Sequence, residues 1–298
     1  MFKNFIKFLI GIFCIISSGT SASTSSSYLI ANTAIKFFDF EEAYLHFQSS
    51  DSNFSESDLH NKLLTLVHLN LLSNAAEVAK KILKKNNLNQ EAWIVYLTYA
   101  KINNNTDAFD EYRKKIKKSE MPLLNYIFFN ESDLIKKNEI IARSIFEVVQ
   151  ASFTDDDSQL SYNFLLFYLS IANLFDANFN EAYYYSAQIY QILQNYYKAE
   201  NLYNKVHVNH NLYVDSQKNI AINKSKLGFF KVGEQQLIKL IDDYSNADNL
   251  LVALADLYRL EKKYDEATTY YSKIINLQDS SFSELWRLLY LRGICFER

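Results

Sequence analysis

The sequence predicts an all-α protein, a solenoid built of antiparallel helix pairs. Three observations predict it. Only five glycines and one proline occur in 298 residues, fewer than the turns of a β-rich fold use, whereas a helical array manages with little of either. Hydrophobic residues make up 49% of the chain and charged residues 22%, which excludes a disordered polymer. The third observation is a recurrence: "YYKAENLYNKV" at Tyr196, "FFKVGEQQLIKL" at Phe229 and "KYDEATTYYSKII" at Lys263 share one skeleton.

The skeleton has a fixed period. Ala199, Gly233 and Ala267 stand 34 residues apart. Four positions past each come Tyr203, Leu237 and Tyr271, and seven past each come Val206, Leu240 and Ile274. Twelve before each come Ala187, Ala221 and Ala255. Small residues at two fixed phases predict helix pairs that cross where only a small side chain fits, with the larger residue one turn on covering the seam. The stretch Asn180 to Tyr213 shows the pattern best, through Tyr183, Ala187, Tyr190, Ala199 and Tyr203. The copy from Asp248 shows it through Leu251, Leu254, Ala255, Tyr258, Ala267 and Tyr271.

This period and these phases resemble the tetratricopeptide repeat. The family's late proline is absent, with Asn211 and Asp279 in its place. The resemblance implies a right-handed superhelical solenoid whose first helices line a concave groove. The closing "WRLLYLRGICFER" is similar to a segment of exported tetratricopeptide proteins of alphaproteobacteria. That likeness implies an envelope location and a scaffold role, and it supplies no catalytic residues.

Upstream, Ala43 with Phe47, Ala75 with Ala79, and Ala108 with Tyr112 look like second helices, and Trp93 opens a first helix. From Met121 to Phe175 the pattern is degenerate, although Leu165, Leu169 and Ala172 keep the phase one period before Ala199, Tyr203 and Val206. The expected organisation is therefore divergent hairpins over residues 23–179, three clear repeats over 180–281, and a first helix of a further repeat over 282–298. No Pro-, Gly- or Ser-rich linker marks a boundary after the N-terminal "SASTSSS". In the last helix Leu289, Gly293 and Phe296 repeat the large, small, large pattern, so further repeats are expected beyond Arg298.

Residues 1–22 read as a secretory signal peptide. Lys3 and Lys7 give a positive start, Phe8 to Ile16 a short apolar run, and Thr20 and Ala22 a cleavage site. The run is short of the roughly 20 residues a membrane span needs, and an uncleaved N-terminal anchor in the inner membrane is the competing reading. Phe13 before Cys14 argues against lipid attachment. Cleavage leaves Cys295 alone, without a disulfide partner.

A net charge of −3 and scattered lysines, as in "KKILKK", point away from nucleic acid. The five histidines include "HVNH" at His207 and His210, read as turn residues because a metal site needs three or four ligands. "TDDD" at Thr154 lacks the glycine and distal glutamate of a calcium loop and reads as a helix cap. No phosphate loop or nucleophile elbow occurs. The chain is expected to have no cofactor, no metal and no catalysis.

What remains is the surface lined by the first helices. The phases implied to face a groove hold Glu181, Tyr184, Gln188 and Gln191, then Asp215, Lys218, Ile222 and Ser225, then Asn249, Val252, Asp256 and Arg259. In "YYY" at Tyr183 to Tyr185, Tyr183 is assigned to the core. Family members that clamp a terminal carboxylate use lysine and asparagine where this chain has Tyr184 and Gln188, asparagine where it has Asn219, and basic residues where it has Asn249 and Ala253. Only Asn219 matches that clamp. The expected function is a non-catalytic scaffold of the bacterial envelope binding a protein or peptide segment, and the alternative is the recognition arm of a longer enzyme. Membrane contact is expected only if the N-terminal segment stays uncleaved.

Overall fold

A computed structural model describes residues 24–48, 55–154, 162–244, 248–277 and 285–298. The signal segment, most of "TDDD" and the junction before the last helix lie outside these residues. The described chain is all-helical apart from turns and one isolated antiparallel bridge, Phe129 to Ile135. It divides into two compact units between Asn125 and Tyr126, where composition shows no linker.

The first unit holds α1 (Thr24–Lys36), α2 (Phe40–Gln48), α3 (Glu56–His68), α4 (Leu72–Lys85), α5 (Gln90–Ile102), α6 (Asp107–Lys115) and the start of α7 (Pro122–Phe128). Neighbouring helices pack as pairs. Ala43, Phe47, Ala75, Ala79, Trp93, Ala108 and Tyr112 are all buried, at the places their phases predict. Trp93 donates its indole N–H to the Asn87 carbonyl at 2.7 Å and meets Tyr112 edge-on at 5.2 Å. Burial pushes the Tyr112 phenol up to about 12. Ser55 and Asp58 close a capping box on α3, which satisfies two of its orphan N–H groups.

The second unit continues from α7 through α8 (Asn138–Thr154), α9 (Tyr162–Phe175), α10 (Asn180–Ile192), α11 (Tyr196–Tyr203), α12 (Tyr213–Lys226), α13 (Phe230–Asp243), α14 (Asp248–Leu260), α15 (Tyr264–Leu277) and α16 (Leu285–Phe296). Proline 122 opens α7, where a missing N–H costs nothing. Helices α8 and α9 pair, as do α10 with α11, α12 with α13, and α14 with α15. Leu165, Leu169 and Ala172 are buried on α9, so the degenerate stretch keeps the phase after all.

One turn joins first to second helix in six of these pairs. Phe38, Asn70, Asn104, Gln194, Gly228 and Lys262 each have φ between 54° and 91°. The residue after each left-handed residue donates its N–H back five positions, for example Phe229 to the Lys224 carbonyl at 2.9 Å and Asn195 to the Tyr190 carbonyl at 2.8 Å. The left-handed residue itself bonds back three, as in Gly228 to Ser225 at 2.8 Å. This is the Schellman arrangement. A non-glycine residue held left-handed costs about 1–2 kcal/mol, and two added hydrogen bonds at about 1 kcal/mol each offset that. Five residues after each left-handed position stand Ala43, Ala75, Phe109, Ala199, Gly233 and Ala267, so the turn sets the phase of the crossing.

Of the described glycines, Gly233 alone lies against a neighbouring helix backbone. A Cβ built there would lie 2.3 Å from the Ala221 backbone oxygen, which no rotamer change can relieve. In α16, by contrast, Leu288 and Cys295 are buried, Leu289 and Phe296 are exposed, and a Cβ on Gly293 would meet nothing within 4 Å. The packed face of α16 thus carries Leu288 and Cys295, and Leu289 and Phe296 stay exposed.

A helical glycine replaced by alanine gains about 1 kcal/mol from propensity, while overpacking costs about 1–3 kcal/mol. With backbone as the obstacle, overpacking wins at Gly233. Gly233→Ala should lower the urea midpoint of the 222 nm CD transition, and Gly293→Ala should leave it unchanged or higher. A Gly233→Ala midpoint at or above the parent's would refute the close approach.

Candidate functional site

The predicted groove residues divide into two groups. Lys218, Ile222 and Ser225 of α12 and Asn249, Val252, Asp256 and Arg259 of α14 line one cavity of about 640 Å³, completed by Ile274 of α15 and Arg287 of α16. That volume lies in the range of ligand and peptide sites. Four-residue and three-residue steps along α12 and α14 bring these side chains to one face, and the two first helices touch directly.

The α10 residues and Asp215 stand outside this cavity. Tyr184, placed in the groove by its phase, is buried at 7% exposure. Its hydroxyl donates to Asp215, which also takes Lys218 and the Asn219 amide, the latter at 3.3 Å. Gln188 donates to the Tyr184 hydroxyl at 3.0 Å. Glu181 lies 3.9 Å from Arg143 and 3.8 Å from His210. Tyr183, assigned to the core, is only half-buried and donates to the Ala177 carbonyl at 3.1 Å. The two tyrosines exchange roles because the ring of Tyr184 meets that of Tyr203 at 5.7 Å, across the helix pair.

Tyrosine couples the seam to this face. Tyr203 and Tyr271 share one phase and are fully buried, yet a buried phenol needs a partner for its hydroxyl. Tyr203 donates to Gln191 at 3.1 Å, and Tyr271 donates to Asp256 at 2.5 Å while accepting from Arg259 Nε at 3.2 Å. Asp256 further receives Arg259 Nη2 and Arg287 Nη2, each at 3.5 Å. So Gln191, Asp256 and Arg259, three predicted groove residues, are held by the hydroxyls of the helix pairs behind them. The repeat with Leu237 at the same phase has no hydroxyl there to make such a tether.

Burial first, and neighbouring carboxylates second, raise the phenols of Tyr184, Tyr203, Tyr258 and Tyr271 well above their ordinary value of 10.0. Below pH 10 each is neutral folded or unfolded, and its contribution is complete. Above pH 10 the unfolded chain releases these protons and the folded chain keeps them, so stability falls as pH rises. Helicity and the 295 nm tyrosinate absorbance should therefore change together in a steep transition above pH 10. Tyrosinate absorbance rising to its full extent while helicity persists would contradict the buried hydroxyl network.

Arg287, Lys226, Leu257 and Leu260 also line the cavity and were not expected there. Lys226 and Leu260 follow predicted positions by one residue, at the helix ends, and Arg287 arrives from α16. The "HVNH" histidines act in a turn: His207 Nδ1 accepts from Asn209 and His210 Nδ1 from Leu212, at 3.2 and 3.3 Å. Among the described residues no group of three or more His, Cys, Asp or Glu side chains could hold a metal ion. No described helix is long and apolar enough to cross a membrane.

Paired helices, a 34-residue period and one shared turn decide the architecture. The fold is a tetratricopeptide-type helical array. No protein-family model and no curated protein matches the chain. Among solved structures it is similar to a tetratricopeptide repeat protein from Parabacteroides merdae, at 20% identity over 80% of this chain and 85% of that one, with a TM-score of 0.42. It is also similar to yeast Tom70, at 12% identity over 91% and 80%, TM-score 0.41. The TPR2AB-domain:pHSP90-complex of yeast Sti1 follows at 13% identity over 92% and 98%, TM-score 0.33. The description of the fold rests on the repeat and its turns.

Proposed function

We propose that this chain is a non-catalytic protein-binding scaffold that takes a partner segment in the cavity between α12 and α14. The observation that carries the reading is the cavity's composition: apolar Ile222 and Val252 beside polar Ser225 and Asn249, with Asp256 and Arg259 fixed by Tyr271. Such a mixture on rigid helices suits an extended segment or a partner helix. The N-terminal pattern supports export, to the periplasm or the envelope, with residues 1–22 removed. The mature chain then begins at Ser23, which the intact mass of protein recovered from cells checks; a mass including residues 1–22 would favour the anchored form.

Site-specific photocrosslinking in cells tests the binding surface. A crosslinker at Asn249 or Ser225 should capture one discrete protein, and Val252→Asp should abolish the band. A crosslinker at exposed Lys239 on α13 should not capture it. Capture from Lys239 alone, or from none of the three, would move binding away from this face.

A further inference from the structure

We infer that the cavity between α12 and α14 selects an acidic segment carrying apolar side chains, an inference that rests on reading this cavity as the binding site. The chain as a whole is acidic, with a formal net charge of −3. The cavity is not: Lys218, Lys226, Arg259 and Arg287 line it against Asp248 and Asp256. Asp256 lies 3.5 Å from Nη2 of each guanidinium, the outer limit of a hydrogen bond.

Donors remain for a second carboxylate. Arg259 engages Tyr271 through Nε and Asp256 through Nη2, leaving Nη1 for an incoming acceptor. Lys226 lies 5.4 Å from the Tyr196 ring and meets no carboxylate among the described residues. A cation on an aromatic face keeps its N–H donors available. Between these cations run Ile222, Val252 and Leu260, the last 63% exposed, an apolar floor too small to need a partner protein's core. An acidic side chain on Arg259 and Lys226, followed by an apolar one on Ile222 and Val252, satisfies both. A basic segment would meet like charge, and a purely apolar one would desolvate the guanidiniums without pairing them.

The probe is a fluorescein-labelled dodecapeptide, capped at both ends, with leucine at every third position and glutamate between. Two counterparts carry glutamine or lysine in place of glutamate. Anisotropy with the full chain should show the glutamate peptide binding at least about tenfold tighter than the glutamine peptide, with affinity falling as salt rises. Lys226→Glu, at an exposed position outside the packed core, should weaken the glutamate peptide about tenfold and leave the glutamine peptide unchanged. Equal binding of glutamate and glutamine peptides, no effect of Lys226→Glu, or no binding of any peptide would overturn the inference. Crosslinking from Asn249 and Ser225 separates the two failures: capture with failed charge selection leaves the cavity as the binding site, and loss of both removes it.

Discussion

The structure depends on how closely two helices of a pair approach. At Gly233 the second helix lies so near the Ala221 carbonyl that a single methyl group would overlap it. Helices that near cannot be held by side chains alone, because the point of contact must fall on small residues in both partners. The left-handed turn enforces this. It fixes the count of residues between the end of the first helix and the crossing, so that Ala43, Ala75, Ala199, Gly233 and Ala267 each arrive five residues after the turn. Packing and turn chemistry then specify the same register, which is the consistency a unique fold requires.

The same register determines what faces the cavity. With Ala221 and Ala255 against their partners, the residues one and four further on, themselves three apart and so on one stripe, are committed to the adjoining face. Ile222 and Ser225, and Asp256 and Arg259, follow. Tyr203 and Tyr271 extend the coupling, since rings that close the seam place their hydroxyls on Gln191, Asp256 and Arg259. Core hydroxyls thus fix Asp256 and Arg259 in the cavity wall.

Much of this was readable in residue spacing, and the limits are physical. Small residues at two phases are legible because alanine and glycine have few substitutes at a crossing. The turns are only partly so: Gly228, Asn70 and Asn104 are residue types that tolerate a left-handed conformation, whereas Phe38, Gln194 and Lys262 occupy one that their side chains do not advertise. The α12 and α14 walls follow from phase. On α10, Tyr184 makes edge contact with Tyr203 and sets its hydroxyl on Asp215. Arg287 was out of reach of any single-repeat reading, since α16 supplies it across a junction. The division between Asn125 and Tyr126 carries no compositional mark either.

Helix α12 breaks the pattern in an informative way. Where α14 buries Leu250, Ala253 and Leu257, the positions 34 residues earlier on α12 bury Ser216, Asn219 and Asn223. Asn219 is used: its amide reaches Asp215 at 3.3 Å, and that carboxylate also takes the Tyr184 hydroxyl of α10. Asn223 is fully buried with neither its nitrogen nor its oxygen partnered among the described residues, and a buried polar group left so costs about 1–3 kcal/mol. Leucine in these places would have made α12 as apolar as α14 and its packing stronger. It would also have removed the group that holds Asp215 against Tyr184 and Lys218. The repeat that gives up core stability is therefore one of the two whose first helices wall the cavity, and Asn219 of its polar stripe lines that cavity.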